Sequence, residues 1–127
     1  MPALGFQAWK AEKIECGLSS QTIRAQRKDG RRPCRVGDRL TFYRGLRTRA
    51  CRKIGEGVCT FCLPIQIDDG DRVRVAGKLP YSACAHSIAR ADGFATTAEM
   101  VEWFRDTHGL PFVGWVIGWK PTQRERE

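Results

Sequence analysis

The run Gln21-Thr22-Ile23-Arg24 sets a hydroxyl and a guanidinium two residues apart. Thr22 and Ile23 are β-branched and favour a strand, where alternation puts Thr22 and Arg24 on one face. Two readings stand for that face: a pair turned toward a ligand, and ordinary strand surface. Asp92, ahead of Gly93 and Phe94, also has two. It is a general acid/base or a group that bonds a base edge, or it is an Asx-type turn residue, the commoner role of Asp before Gly.

The densest chemical signal is positive charge. Twelve basic residues lie between Arg24 and Lys53, opposed only by Asp29 and Asp38. Ten of the twelve are Arg, whose planar fork grips phosphate bidentately. The chain carries +8 overall, so this segment holds all of the excess, and a patch of that kind attracts polyanions. Arg24, Arg27, Lys28, Arg44, Arg47, Thr48 and Arg49 are the candidate nucleic-acid contacts. Gly45 permits close backbone approach in the loop that holds Arg47 and Thr48. A basic face that docks an acidic protein is the competing use of the same charge.

The cysteines carry less. Cys59-Thr60-Phe61-Cys62 has C-x-x-C spacing, and Cys51 and His86 would complete a zinc set. Val58, Phe61 and Leu63 mark a strand, however, which puts Cys59 and Cys62 on opposite faces, and no second close ligand pair follows. The expectation is no metal and no cofactor. His86 and His108 have no Ser or Cys nucleophile beside them in sequence, and no phosphate-loop or dinucleotide fingerprint occurs.

The elements that must position these groups can be read from periodicity. Phe6 to Cys16 reads as an amphipathic helix ended by Gly17. Gln21–Arg24 and Leu40–Tyr43 read as strands. Lys53–Leu63 reads as one long strand bent at glycines, and Ile65–Val75 as a hairpin turning at Asp68-Asp69-Gly70-Asp71. The stretch from Leu79 to Arg90 has no clean period and reads as loop or weak helix. Thr96 or Thr97 caps a helix over about Ala98–Thr107, with Glu99 supporting the cap. Phe112–Trp119 reads as the last strand. Trp103, Trp115 and Trp119 read as core, and Trp9 and Tyr43 as core or stacking surface.

At 127 residues, with 42% apolar and 28% charged residues, the chain fits a single globular α+β domain over residues 1–120, with a polar tail at 121–127. No apolar run is long enough to span a bilayer, and the mixed charges of the first residues do not fit a signal peptide. A cytoplasmic setting, free thiols and no membrane partner are the expectation.

Five short segments occur in the order seen in ASCH domains: Gln21-Thr22-Ile23-Arg24, Val36-Gly37-Asp38, Gly45-Leu46-Arg47-Thr48, Ala91-Asp92-Gly93-Phe94 and the strand Gly114–Trp119. On these segments the chain resembles the small, single-domain bacterial and phage ASCH proteins, over about Leu4 to Trp119. The resemblance implies a PUA-like β-barrel with flanking helices. It implies a cleft lined by the Thr22–Arg24 segment with Ser19 and Gln21, and RNA, single-stranded nucleic acid or a nucleotide as the partner. Some proteins of that family are amidohydrolases acting on N4-acetylcytidine, and one is a ribonuclease. The resemblance therefore implies, as an alternative, an RNA-modifying hydrolase with Thr22 and Asp92 catalytic. Ser19 stands where those amidohydrolases carry Lys, which leaves Lys10 or Lys13 as the other source of an amine.

Overall fold

The computed structural model describes residues 3–17, 20–46, 48–68, 72–76 and 82–121, with backbone alone at 72, 82–86 and 121. Ser19, Arg47, the hairpin turn at 69–71, residues 79–81 and the tail beyond 121 lie outside the described residues, as do the side chains of Cys84 and His86.

The chain order is β1 (Ala3–Phe6), α1 (Ala8–Glu15), β2 (Gln21–Ala25), β3 (Arg39–Arg44), β4 (Arg52–Asp68), β5 (Arg72–Val75), α2 (Ser82–Ala91), α3 (Thr97–Thr107) and β6 (Phe112–Pro121). The strands form one six-stranded mixed sheet in the order β1-β3-β4-β6-β2, with β5 paired to β4. The β1–β3 pair is parallel and the others are antiparallel. β4 is the spine. Its first half pairs with β3, its second half with β6, and its end with β5.

Two apolar clusters lie on opposite faces of the sheet. β6 shows the alternation directly: Ile117 and Trp119 enter one cluster with Leu4, Phe6, Leu40 and Phe42, while Phe112 and Val116 enter the other. Helix α1 closes the first cluster with Ala11 and Ile14. Helix α3 closes the second with Met100, Val101 and Phe104. Aromatic contacts anchor both, at 4.5 Å between the Phe42 and Trp119 rings and 4.5 Å between Phe104 and Phe112.

The barrel expected from the ASCH resemblance does not form. Closure needs a ladder between the terminal strands, and among the described residues β1 pairs only with β3 while β2 pairs only with β6. Side chains cross the interval instead. Arg24 on β2 donates from Nη2 to the Gly5 carbonyl on β1 at 2.5 Å, and its guanidinium lies 4.6 Å from the Phe6 ring centroid. The fold is an α+β arrangement around an open mixed sheet.

Local differences from the sequence reading have physical causes. Phe6 belongs to β1 rather than to α1, and the stretch read as loop or weak helix contains α2. Two bulges bend β4, one at Ile54 opposite Phe42/Tyr43 of β3 and one between Cys59 and Phe61. The second bulge breaks the two-residue alternation, so Cys59 and Cys62 are buried in the same cluster and not on opposite faces. Thr96 is the N-cap of α3, accepting from the Glu99 amide at 3.1 Å, while the Glu99 carboxylate accepts from the Ala95 amide at 3.3 Å.

The approach of β2 to β6 depends on a missing side chain. A Cβ at Gly114 would stand 2.0 Å from the Arg24 carbonyl oxygen, a main-chain atom that cannot rotate aside. Gly114→Ala is expected to cost about 1–3 kcal/mol in a urea melt. An unchanged midpoint would contradict the close β2–β6 contact.

Candidate functional site

A cavity of about 320 Å³ opens in the interval between β1 and β2. Its walls include Gly5 and Phe6 of β1, Trp9 and Lys10 of α1, Thr22–Ala25 of β2, Asp92, and the aromatic groups Phe94, Trp103, Phe104 and His108. Thr22 and Arg24 share a face by strand alternation, opposite Ile117 and Trp115 in the β2–β6 register.

Asp92 reaches the cavity because it ends α2. Phe94 donates its amide to the Ala89 carbonyl and Gly93 donates to Arg90, the two bonds of a Schellman cap. Gly93 supplies the positive φ of +104° that the cap requires. Phe94 and Ala89 then pack together in the second cluster. Asp92-Gly93 is thus a helix terminus as well as a turn.

Helix α1 docks on that terminus through two lysines one turn apart. Lys10 Nζ donates to the Asp92 carbonyl at 2.7 Å and to its carboxylate Oδ1 at 3.4 Å, and Lys13 Nζ donates to the Gly93 carbonyl at 3.1 Å. Cations are favoured at the C-terminal end of a helix, where free carbonyls gather negative charge. Trp9 lies between the two, its ring centroid 6.0 and 5.8 Å from the ammonium groups.

Burial governs the titration of this group. Lys10 and Asp92 are 5% and 6% exposed, and loss of solvation acts against both charges. Burial lowers the Lys10 amine from its ordinary value, with attraction to Asp92 opposing the shift. Burial raises the Asp92 carboxyl to about 6 against the opposing pull of Lys10, a hydrogen bond from Gln21, and Arg24. Burial also lowers Arg24, again opposed by Asp92. With all three charged, two cations face one anion and the site is left net positive. Arg24 Nε is buried and has no acceptor among the described residues.

Along the other wall the aromatic rings run in sequence. Trp9 and Phe94 centroids are 6.3 Å apart, Phe94 and Trp103 5.9 Å, and Trp103 and His108 5.8 Å. Trp103, read as core from the sequence, is half-buried and faces the cavity. A planar ligand fits such a wall, with donors from Thr22, Arg24 and Lys10 and an acceptor from Asp92.

Three sequence candidates, Thr22, Arg24 and Asp92, therefore converge, and Lys10 supplies the amine. Gln21 stands behind them. It donates to the Ile88 carbonyl at 3.0 Å and bonds the Asp92 carboxyl. The other basic candidates are outside the cavity walls. Arg27 and Lys28 follow β2 in an exposed turn closed by the Gly30 amide on the Arg27 carbonyl. Arg44 is exposed and opposes Phe6 in the β1–β3 ladder, and Arg49 is exposed in the next turn. Thr48 closes that turn, donating to the Gly45 carbonyl at 2.6 Å and accepting from the Ala50 amide at 3.2 Å. Several neighbours are internally engaged: Arg31 with Asp29, Arg52 with Glu15, Lys53 with Glu56, and Arg32 over the Trp115 ring. Arg27, Lys28, Arg44 and Arg49 have no ion-pair partner among the described residues.

Among the described residues no group of three or more His, Cys, Asp or Glu is placed to hold a metal ion. No helix among them is long and apolar enough to cross a membrane. No family model matches the chain, and no curated protein or solved structure matches it. The ASCH resemblance thus lacks both its barrel and a family match, and roles carried over from it lapse. Thr22 and Asp92 stand on the geometry of the cavity.

Asp92 is expected to titrate near 6 by carboxyl NMR, and Lys10→Met to move that midpoint higher by removing the cation that opposes burial. The folded carboxyl holds its proton more tightly than the unfolded one. Its ionisation therefore lowers stability as pH rises from the ordinary carboxylate range to about 6, and Asp92→Asn removes that loss. A midpoint in the ordinary carboxylate range would contradict the buried placement.

Proposed function

We propose that this protein binds RNA or a nucleotide, with a base held in the β1–β2 cavity and the phosphate backbone tracked by the flanking arginine-rich loops. The observation that carries the reading is the convergence of Lys10, Thr22, Arg24 and Asp92 opposite an aromatic wall in one cavity. About 320 Å³ lies at the lower end of the range, roughly 300–1,000 Å³, found for small-molecule sites. Stacking on aromatic faces with polar groups reading the base edge is how single-stranded RNA is recognised.

Charge placement supports the second half of the reading. Arg27 and Lys28 leave the end of β2 directly after the cavity residues Arg24 and Ala25. Arg44 stands one strand beyond Phe6, another cavity residue. Phosphates extending from a seated base toward either side meet basic groups with no ion-pair partner among the described residues. A reducing, cytoplasmic setting suits this partner, and the five described cysteines are free thiols.

A hydrolytic second reading draws on three of the same side chains and on the lowered proton affinity of the Lys10 amine. The Thr22 hydroxyl, the buried Lys10 amine and the Asp92 carboxyl share one cavity. A hydroxyl beside an amine of lowered proton affinity is a pattern for nucleophilic attack on an acyl or phosphoryl group. Release of product from labelled RNA or an N-acylated nucleoside, abolished in Thr22→Val, decides for this reading. Binding without turnover decides for the first.

Affinity for a single-stranded RNA oligonucleotide is expected to fall with salt, with a log–log slope of about −0.7 for each neutralised phosphate. Replacing Arg27 and Lys28 together by Ala makes the slope shallower by about 1.4. Thr22→Val weakens binding about 2- to 10-fold, the worth of one neutral hydrogen bond, and leaves the slope unchanged. Fluorescence anisotropy across a salt series checks all three. Salt-independent binding, or none at low salt, would overturn the proposal.

A further inference from the structure

The phase of the β2–β6 ladder fixes which main-chain groups of β2 remain free. Trp119 donates its amide to the Ser20 carbonyl at 3.0 Å, and Gln26 donates to the Val113 carbonyl at 3.1 Å. Both contacts obey the register that sets Thr22 opposite Ile117 and Arg24 opposite Trp115. In an antiparallel pair, bonded and non-bonded residues alternate. Ser20, Thr22, Arg24 and Gln26 therefore turn their N–H and C=O groups toward β6. Ile23, between them, turns both of its groups outward.

Among the described residues that outward edge meets no other strand, β6 being the one ladder partner of β2 there. No side chain or loop among the described residues takes up the Ile23 amide or carbonyl. Ile23 nevertheless lines the cavity, while its side chain packs into the second apolar cluster. Ile23 as a residue is 9% exposed, and a main-chain donor and acceptor shielded from solvent without partners call for water or a ligand. The interval is too narrow to admit a further strand, since the Arg24 side chain spans it to the Gly5 carbonyl at 2.5 Å. A planar group entering from the aromatic side is what fits.

We infer that the Ile23 amide and carbonyl read the hydrogen-bonding edge of the seated base, extending the sheet by one planar ligand in place of a strand. The ligand class is a nucleobase offering an acceptor beside a donor, such as the ring N–H and carbonyl of a pyrimidine or the amino group and ring nitrogen of adenine. This deepens the nucleotide-binding reading and rests on it. Main-chain readout divides the work. Ile23 takes the base edge, the aromatic wall takes the base face, and Arg24 and Lys10 are left for phosphate or polarised oxygen atoms.

Amide hydrogen exchange on the full chain tests it, with uridine, cytidine, adenosine and guanosine monophosphates as probes. In the free protein the Ile23 amide exchanges faster than those of Thr22 and Arg24, which are held by β6. A saturating nucleotide that binds slows Ile23 exchange at least 10-fold and leaves Thr22 and Arg24 nearly unchanged. Methylation of the base edge, as in N3-methyluridine or N6,N6-dimethyladenosine monophosphate, weakens binding about 10-fold and abolishes that protection. Binding with Ile23 unprotected, or binding indifferent to methylation, overturns this inference and leaves the cavity as a nucleotide site. No binding by any of the four overturns the site reading and this inference with it.

Discussion

The placement of the cavity's polar groups depends on two lysines of one short helix gripping the end of another. Lys10 and Lys13, three residues apart on α1, donate to the carbonyls of Asp92 and Gly93 where α2 stops. Those contacts join segments about eighty residues apart and bring Asp92 beside β2. They also load the joint with charge that cannot be solvated. Burial disfavours both Lys10 and Asp92 in their charged forms, so the pair is weak support for stability. Replacing it with apolar groups of similar shape would serve packing as well. An ionisable cluster retained at such a cost, and lining a cavity, is a physical rationale for a functional site.

The open sheet is the second half of the same constraint. Strand β2 has one ladder partner and β1 has one, and the molecule spends the space between them on side chains. A closed barrel would have satisfied those edges with main-chain bonds and removed this interval. Here the Arg24 arm, the Lys10–Asp92 pair and the ring wall from Trp9 to His108 surround a hollow with polar groups on one side and flat apolar faces on the other. The basic residues beside the cavity contribute long-range attraction and not shape, because Arg27, Lys28, Arg44 and Arg49 are exposed.

Much of this was legible in the sequence wherever the signal was local. β2, β3, β6 and α3 follow from β-branched runs and from the Thr96 cap with Glu99. Thr22 and Arg24 are marked by strand alternation together with the ASCH resemblance, and Asp92 by that resemblance beside its reading as a turn residue, and the three converge. β1 is only four residues long, and Phe6 continues the apolar stripe of α1, so strand and helix read as one element. α2 was obscured because Ser82–Ala91 is rich in small residues, and Asp92-Gly93 reads equally as a turn. Closure of the sheet was not legible at all. It is decided by long-range pairing between the terminal strands, and short segments in family order carry no information on that pairing. The bulge after Cys59 likewise defeats any argument from strict alternation. The aromatic wall was missed because Phe94 precedes α3, Trp103 lies within it and His108 caps its end, and only the tertiary fold sets them in line with Trp9 of α1.

A crystal structure of the protein soaked with a mononucleotide tests the central claim most directly. The base is expected in the interval between β1 and β2, against the rings of Trp9 and Phe94, with the phosphate turned toward Arg24 and the loop after β2. A base stacked elsewhere on the arginine-rich surface, with the interval empty or closed by direct β1–β2 pairing, would contradict it.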